Sequence, residues 1–168
     1  MGDKLTNARA ETVSEKSSFR KPFQSQRCLI PADGFYEWQG TPNGKQPFRF
    51  TRKGGGFFCM AGLWRKWVRP YHEGELGLDD TGPSISQTIE TFAIITTTPN
   101  PMVAAVHNRM PVILSPEHYH WWLEPKRFEP EFLKTLLRPY PAEDMNCRCV
   151  SKLVNNAKND GPECIAPG

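Results

Sequence analysis

The first candidate for acid–base chemistry is Glu37, which stands between two aromatic residues in the segment PADGFYEW. In an extended strand Glu37 shares a face with Phe35, while Tyr36 and Trp38 point to the other face. A carboxyl group partly removed from water keeps its proton to higher pH, because burial disfavours the charged form. Such a group can act as a general acid near neutral pH. The alternative is a strand with one solvent face, on which Glu37 is simply exposed.

The segment HNRMP, residues 107–111, offers a second pair of reactive side chains. His107 and Arg109 are two residues apart and lie on one side of an extended chain. A neutral imidazole can take or relay a proton near pH 7. A guanidinium beside it can hold a phosphate through a fork of donors. The alternative is a histidine satisfied in the core and an arginine in a surface salt bridge.

The segment NARAET, residues 7–12, alternates polar and small residues. If it is extended, Asn7, Arg9 and Glu11 point to one face and the small residues between them point to the other. The polar face is suited to line a groove with an amide, a guanidinium and a carboxylate. The alternative, which the pattern alone favours, is an edge strand with a solvated face.

Thiol chemistry stays open as a third possibility. The five cysteines are odd in number and follow no apolar signal segment, so a disulfide framework is not expected. Cys28 and Cys59 lie in apolar, strand-like runs and are predicted to be small buried hydrophobic residues. A Cys–His hydrolase that uses either of them with His107 would need an exposed, reactive thiol.

No metal site is predicted. Cys147 and Cys149 share one face of a strand, but a zinc site would need two further ligands at suitable spacing. His118 and His120 are the nearest candidates, and side chains two residues apart do not share a helix face.

Short strands and short helices must position these residues. Asn43-Gly44 is a hairpin signal, and Asn100-Pro101 opens a helical turn. A long irregular stretch covers 69–90. Strands are predicted over 28–38 (with a turn inside), 47–53, 57–67, 91–99, 111–114 and 147–154, and helices over 17–27 (broken near Pro22), 115–125 (capped by Ser115) and 130–138.

We expect the strands over 47–53 and 57–67 to pair as a hairpin across GGG. Strands dominate and helices are short, so the predicted class is α+β with a mostly antiparallel sheet.

The composition fits a folded chain of one domain, with 168 residues of which 38% are hydrophobic. No apolar run approaches the ~20 residues of a membrane span. The polar start MGDKLTNARAET has no apolar signal segment, which favours the cytoplasm.

The charge is unevenly distributed. Residues 1–53 carry ten Lys or Arg and five Asp or Glu, whereas residues 54–168 carry eleven and thirteen. A basic first third fits a polyanionic partner such as nucleic acid. The alternative is a solvated surface with chance asymmetry.

Four segments resemble, in order and in spacing, the motif series of the SOS response-associated peptidase (SRAP) family. They are NARAET, CLIPADGFYEW with the later GLW, HNRMPVIL, and VNNAKNDGPECIAP near the end. The resemblance runs from about Asn7 to the C-terminus, and residues 1–168 are identified as a single SRAP-like domain. It implies a barrel-like, mainly antiparallel β-structure with peripheral helices.

The resemblance also implies a function in the DNA-damage (SOS) response. Members of the family bind single-stranded DNA, which associates them with the nucleoid, and react covalently with abasic sites without a cofactor. By resemblance, Glu37 is the catalytic acid, His107 the active-site histidine and Asn7 a positioning amide. An abasic site is a masked aldehyde, and opening the sugar and dehydrating a carbinolamine both need a placed acid and base.

The DNA-binding residues implied by the resemblance are two arginines and two tryptophans. Arg9 and Arg109 resemble residues that contact DNA phosphates. Trp38 and Trp64 are candidates for stacking on bases or for packing, with packing expected for at least one of them.

One departure from the family pattern concerns the nucleophile. Family members carry a cysteine directly after the initiator methionine, which they remove by self-cleavage, and the freed amine and thiol capture the aldehyde as a thiazolidine ring. Here Gly2 follows Met1. We expect an incomplete copy of an active protein; a natural short form that binds DNA without cross-linking it, or strands supplied by a second chain, are the alternatives.

Overall fold

The structure is a computed structural model that describes residues 5–68, 88–126 and 129–168. Within these ranges the chain forms nine β-strands and four α-helices. The strands are β1 (Asn7–Arg9), β2 (Arg27–Ala32), β3 (Phe35–Thr41), β4 (Gly44–Arg52), β5 (Phe58–Val68), β6 (Thr88–Thr97), β7 (Met110–Pro111), β8 (Ile113–Leu114) and β9 (Met145–Cys149). The helices are α1 (Ser17–Ser25), α2 (Pro101–Ala104), α3 (Tyr119–Leu123) and α4 (Pro130–Thr135). The predicted α+β class is confirmed.

The described strands form two sheets. The first has the order β1-β6-β5-β2, with β7 paired to β6 and β8 to β5, and it curls into a half-barrel. The second has the order β3-β4-β9. All pairings are antiparallel except the parallel pairing of β1 with β6, so the mainly antiparallel prediction is confirmed. The predicted strand over 111–114 is divided between β7 and β8, which have different neighbours.

The hairpin signal at Asn43-Gly44 is confirmed, because β3 and β4 pair around a tip at Pro42 and Asn43. The predicted hairpin of the next two strands is wrong: β4 pairs with β3 and β9, and β5 belongs to the other sheet. The three glycines of 54–56 all have positive φ, between 75° and 82°. Glycine adopts this left-handed backbone conformation readily, whereas other residues are strained in it. Here the glycine segment connects β4 of the second sheet with β5 of the first.

The first sheet is covered on both faces. One face packs against the helices, where Ile95 of β6 joins Trp122 of α3 and Phe23 of α1 in a buried cluster. The other face meets the second sheet, and Met60 of β5 lies in one cluster with Phe50 of β4. Alternating residues of β1, β5 and β6 therefore face either the helices or the junction of the two sheets.

Helix α1 continues through Pro22, so the predicted break is wrong. Phe19 and Phe23 are buried on one face of the helix and hold it against the first sheet. At the C-terminal end of α1, Nη1 of Arg27 donates to the free carbonyl oxygens of Phe23 and Gln24 at 2.8 and 2.6 Å. Packing and this terminal contact compensate for the N–H that proline lacks.

The C-terminal elements are shorter than their sequence patterns indicate. Ser115 lies at the N-cap position, but its side chain makes no capping hydrogen bond, and the first turn over Pro116–His118 is a 3₁₀ helix. The final strand ends at Cys149, and Ser151 caps a 3₁₀ segment at Lys152–Asn155.

Most of the predicted irregular stretch over 69–90, namely 69–87, lies outside the described residues, and 88–90 belong to β6. Among the residues that are described, no helix combines the length and the apolar character needed to cross a bilayer.

Candidate active site

A cavity of about 440 Å³ opens where the first sheet meets β3 of the second sheet. Its apolar wall includes Phe35, Met60, Ile94 and Pro111. Its polar lining residues come from distant parts of the chain: Asn7, Arg9, Glu37, Thr96, His107 and Arg109. The cavity therefore brings together the three predicted catalytic residues and both predicted phosphate-binding arginines.

Strand β1 supplies Asn7 and Arg9 because of its alternating pattern. Ala8 between them is fully buried against the helix side of the sheet, in register with Ile95 of β6. Asn7 and Arg9 are exposed and line the cavity. Both interpretations hold for Asn7 and Arg9, since β1 lies at the edge of the described sheet and also forms a wall of the cavity. The prediction that Glu11 shares this face is wrong, because β1 ends at Arg9 and Glu11 lies in the turn that follows.

Strand β3 supplies Glu37, whose side chain is 19% exposed. Burial raises the pKa of Glu37, and the charge of His107 opposes this shift. The interpretation of Glu37 as a simply exposed residue is therefore wrong. A carboxyl group in this environment keeps its proton to higher pH than in water, as expected for a general acid.

The helical turn of α2 positions His107 beside Glu37. Asn100 is buried and caps α2, since its Oδ1 accepts the N–H of Val103 at 2.9 Å. The N–H of His107 donates to the carbonyl oxygen of Val103 at 2.8 Å. Gln39 of β3 donates to the carbonyl oxygen of Ala105 at 3.0 Å, which ties the strand of Glu37 to the turn before His107.

The Nδ1 atom of His107 has three polar neighbours. It lies 3.2 Å from Oε2 of Glu37, 3.2 Å from the carbonyl oxygen of Arg109 and 3.3 Å from the backbone nitrogen of Arg109. Two of the three are acceptors when Glu37 is ionised, which favours a proton on Nδ1. Within the described ranges Nε2 has no hydrogen-bond partner. The pair can therefore exchange a proton with each other and with a bound molecule.

The two arginines of the cavity differ in their partners. Nη1 and Nη2 of Arg109 donate to Oε1 and Oε2 of Glu11 at 2.7 and 2.9 Å, and Nη2 also donates to the carbonyl oxygen of Thr96 at 2.5 Å. This fork lowers the pKa of Glu11. Arg9 has no ion pair with any residue in the described part of the chain. Phosphate contact stays a prediction for both arginines.

The two predicted stacking tryptophans occupy different places. Trp38 lines the cavity, and its Nε1 donates to Oδ1 of Asn155 at 2.7 Å. Trp64 lines a separate hollow of about 300 Å³ together with Cys28 and Phe92.

Two contacts of the site were missed by sequence reasoning: the hydrogen bond that Trp38 donates to Asn155 and the pairing of Arg109 with Glu11. Glu11 and Asn155 both stand in quoted motifs, NARAET and VNNAKNDGPECIAP. The pairings span 117 and 98 residues, so the motifs could have marked the residues as candidates but not joined them.

The cysteines lie apart from His107. Cys28 and Cys59 are half-buried rather than buried, and neither lines the cavity. Burial raises the pKa of Cys28, which lowers its thiolate fraction at neutral pH. In the ranges that the structure describes, no three His, Cys, Asp or Glu side chains cluster as metal ligands would.

Comparison with known sequences and structures identifies the class of protein. The SOS response associated peptidase (SRAP) family matches residues 1–157, so the chain belongs to this family and the resemblance of its motifs is confirmed.

Individual relatives agree. The chain is 48% identical over 166 residues to the abasic site processing protein YoqW of Bacillus subtilis, covering 98% of the chain and 68% of that protein. It is 32% identical over 184 residues to the abasic site processing protein HMCES of Gallus gallus, covering 98% of the chain and 50% of that protein.

A crystal structure of a protein from Bacteroides thetaiotaomicron matches the fold with a TM-score of 0.78 at 32% identity, over 96% of this chain and 65% of that one. The chain thus spans from about half to about two thirds of these relatives.

Proposed function

We propose that this chain binds single-stranded DNA at an abasic site and takes part in processing that site within the cavity. The observation that carries the proposal is the convergence of Asn7, Glu37 and His107 on one cavity, with Nδ1 of His107 3.2 Å from Oε2 of Glu37. The names of the relatives, abasic site processing proteins, support the same substrate.

The chemistry follows from the aldehyde that an opened abasic sugar presents. An amine that adds to the carbonyl carbon forms a carbinolamine, which loses its hydroxyl as water when an acid supplies a proton. Glu37 is suited to this step because burial raises its pKa. His107 assists ring opening as its proton partner, and Asn7 orients the nucleophile by hydrogen bonding.

The DNA-binding part of the proposal rests on the cationic and aromatic lining of the cavity. Arg9 is exposed and makes no ion pair within the described ranges, although it interacts electrostatically with Glu11, so its guanidinium is available for a phosphate. Trp38 presents its ring at the cavity while its N–H is occupied by Asn155. A ring with its donor occupied can stack on any base, which suits binding without sequence preference.

The covalent step of the family needs a cysteine that carries both a free amine and a thiol. None of the five cysteines of this sequence follows Met1, because Gly2 occupies that position. We therefore assign cross-linking, and self-cleavage of the initiator methionine, to a form of the protein that carries such a cysteine. The second candidate function is a non-covalent single-stranded DNA-binding module, which is favoured because all five cysteines lie in the described ranges and none of them lines the cavity.

Intact mass and fluorescence anisotropy distinguish the two functions. The 168-residue chain is incubated with a single-stranded oligonucleotide that contains one abasic site, with the undamaged strand and with the matching duplex. We expect tighter binding to the abasic single strand than to the undamaged strand or the duplex, and no heat-stable adduct in the mass spectrum. Equal affinity for the abasic and the undamaged strand would refute abasic-site recognition, and a stable adduct of this chain would refute our account of the nucleophile.

A Cys–His hydrolase is not supported, since neither Cys28 nor Cys59 lines the cavity that contains His107. Alkylation of the thiols offers the direct check. Modified protein is expected to bind abasic DNA as the unmodified protein does.

A further inference from the structure

The carboxylate of Glu11 takes no part in the proposed chemistry, yet it forms a two-pronged ion pair with Arg109, which lines the cavity. Glu11 lies in the turn after β1, and its two carboxylate oxygens accept hydrogen bonds from Nη1 and Nη2 of Arg109 at 2.7 and 2.9 Å. The second of these nitrogens also donates to the carbonyl oxygen of Thr96 on β6. The Arg109 side chain, 20% exposed, is thereby fixed in a single orientation.

The backbone of Arg109 in turn contacts the ring of His107. Its carbonyl oxygen and its nitrogen lie 3.2 and 3.3 Å from Nδ1, the same atom that approaches Glu37. An unbroken series of contacts thus leads from Glu11 through the side chain and the backbone of Arg109 to His107 and Glu37. Glu11 does not line the cavity itself.

The segments that carry this contact also contain polar atoms without a partner in the described ranges. Of the described residues, two have a buried side-chain N or O atom without a partner: Thr12, next to Glu11, and Arg109 at its Nε. A buried polar atom left unpaired lowers the stability of the folded state. Such unsatisfied groups are rare in folded proteins and often accompany functional constraints.

We propose that Glu11 is a positioning residue, which holds Arg109 and through its backbone keeps His107 in contact with Glu37. The proposal deepens the proposed function, and the significance of the Glu37–His107 contact for catalysis rests on that function. The contacts of Glu11, Arg109 and His107 do not depend on it. Without Glu11, the guanidinium of Arg109 keeps the carbonyl oxygen of Thr96 as its partner. The turn that carries His107 then loses its hydrogen-bonded contact with the segment after β1.

The pKa of Glu37, followed by carboxyl NMR in the free 168-residue chain, tests the proposal through the sign of its change. The charged groups that line the cavity with Glu37 are Arg9, His107 and Arg109. In Glu11→Gln, loss of a nearby negative charge would by itself lower the pKa of Glu37. Release of His107 would instead raise it, because His107 opposes the effect of burial. We expect a rise of at least about half a unit.

Arg109→Lys provides a second variant that keeps the positive charge but loses the planar fork. A field effect predicts no change in the pKa of Glu37 for this variant, and positioning predicts a rise. The matched control is Glu131→Gln, which removes a carboxylate from the exposed Lys134 pair far along the chain and should leave Glu37 as it is. The ring nitrogens of His107 give a second signature, since the preference for a proton on Nδ1 should weaken in Glu11→Gln and persist in the control.

A fall or no change in the pKa of Glu37 in both variants would overturn the proposal. Affinity for an abasic single strand distinguishes positioning from a second alternative, in which Glu11 only shields Arg109. If Glu11 merely shields Arg109 from phosphate, Glu11→Gln would tighten binding about tenfold and leave the His107 signature intact, which also overturns it. Failure of the wild-type chain to prefer abasic DNA would refute the proposed function while the NMR result still decided the role of Glu11.

Discussion

Two carboxylate–cation pairs beside one cavity behave in opposite ways. Glu37 is the more buried, at 19% exposed against 46% for Glu11, yet its ion-pair partner among the described residues, His107, lies 3.2 Å away and is charged only when protonated. Glu11 has a permanent cation held by a two-pronged fork. The pKa of Glu37 is accordingly raised and that of Glu11 lowered.

The difference shows how neighbouring carboxylates acquire separate roles. Burial without a permanent counterion raises the pKa of Glu37, so this carboxyl group releases its proton at a higher pH than it would in water. A guanidinium beside Glu11 removes the proton and leaves a fixed anion, which is suited to holding structure. The partner of a carboxylate, more than its burial, thus decides whether it can transfer a proton or fixes the position of a neighbouring side chain.

The largest effect is expected at Glu37. Glu37→Gln keeps the size of the side chain and removes the proton, so abasic-site processing should slow by about 10²–10⁴-fold in a form of the protein that carries an N-terminal cysteine. DNA affinity should stay nearly unchanged. Single-turnover cross-linking with an abasic oligonucleotide measures the rate, and Glu131→Gln serves as the control. Equal rates for Glu37→Gln and the wild type would remove Glu37 from the mechanism.

The second effect concerns the stability that the other pair contributes. Arg109→Met should lower the free energy of unfolding by about 1–3 kcal/mol, because it removes the two charge-assisted hydrogen bonds to Glu11 and the part-buried one to the carbonyl oxygen of Thr96. Lys134→Met breaks the exposed pair with Glu131 and should change it by less than about 0.5 kcal/mol. Urea unfolding of both variants makes the comparison. Similar losses in the two would mean that the fork adds no more than a surface ion pair.

The third effect distinguishes Arg9, which makes no ion pair in the described ranges, from Arg109, which pairs with Glu11. Arg9→Ala should weaken binding to single-stranded DNA and reduce the slope of log affinity against log salt by about 0.7, the value for one phosphate contact. Arg20→Ala, on the exposed face of α1, is the matched control. Anisotropy titrations over a range of salt concentrations provide the slopes, and a slope for Arg9→Ala that equals that of the wild type would rule out phosphate contact.

Local patterns predicted much of this site. Alternation placed Asn7 and Arg9 on one face of β1, the Asn100-Pro101 pair marked the turn before His107, and the aromatic setting of Glu37 indicated its burial. These features depend on residues that are neighbours in sequence, so their physics can be read from the sequence.

Contacts between distant segments could not be predicted in this way. Nothing in NARAET or HNRMP says that Glu11 will meet Arg109 across 98 residues. The hairpin predicted for β4 and β5 was wrong for the same reason, because the alternation of a strand does not specify which sheet it joins. Trp64 shows the limit for single residues, since its aromatic character does not reveal that it faces another hollow.

The smallest effect, and the most direct contrast of the two carboxylates, lies in the dependence of stability on pH. A raised pKa in the folded state means that the folded chain binds the proton of Glu37 more tightly than the unfolded chain does, so this group's contribution is complete in acid and is lost as the pH rises through the raised pKa. The lowered pKa of Glu11 has the opposite sign: its contribution is present at neutral pH and is lost as the pH falls through the lowered pKa.

Relative to the wild type, Glu37→Gln should therefore gain stability as the pH rises from acid to neutral, while Glu11→Gln should lose it over the same range. Urea unfolding at a series of pH values measures both trends. If the two differences change with pH in the same direction, the two pairs do not differ as their geometry indicates, and the division between a proton-carrying carboxylate and a structural one would have to be abandoned.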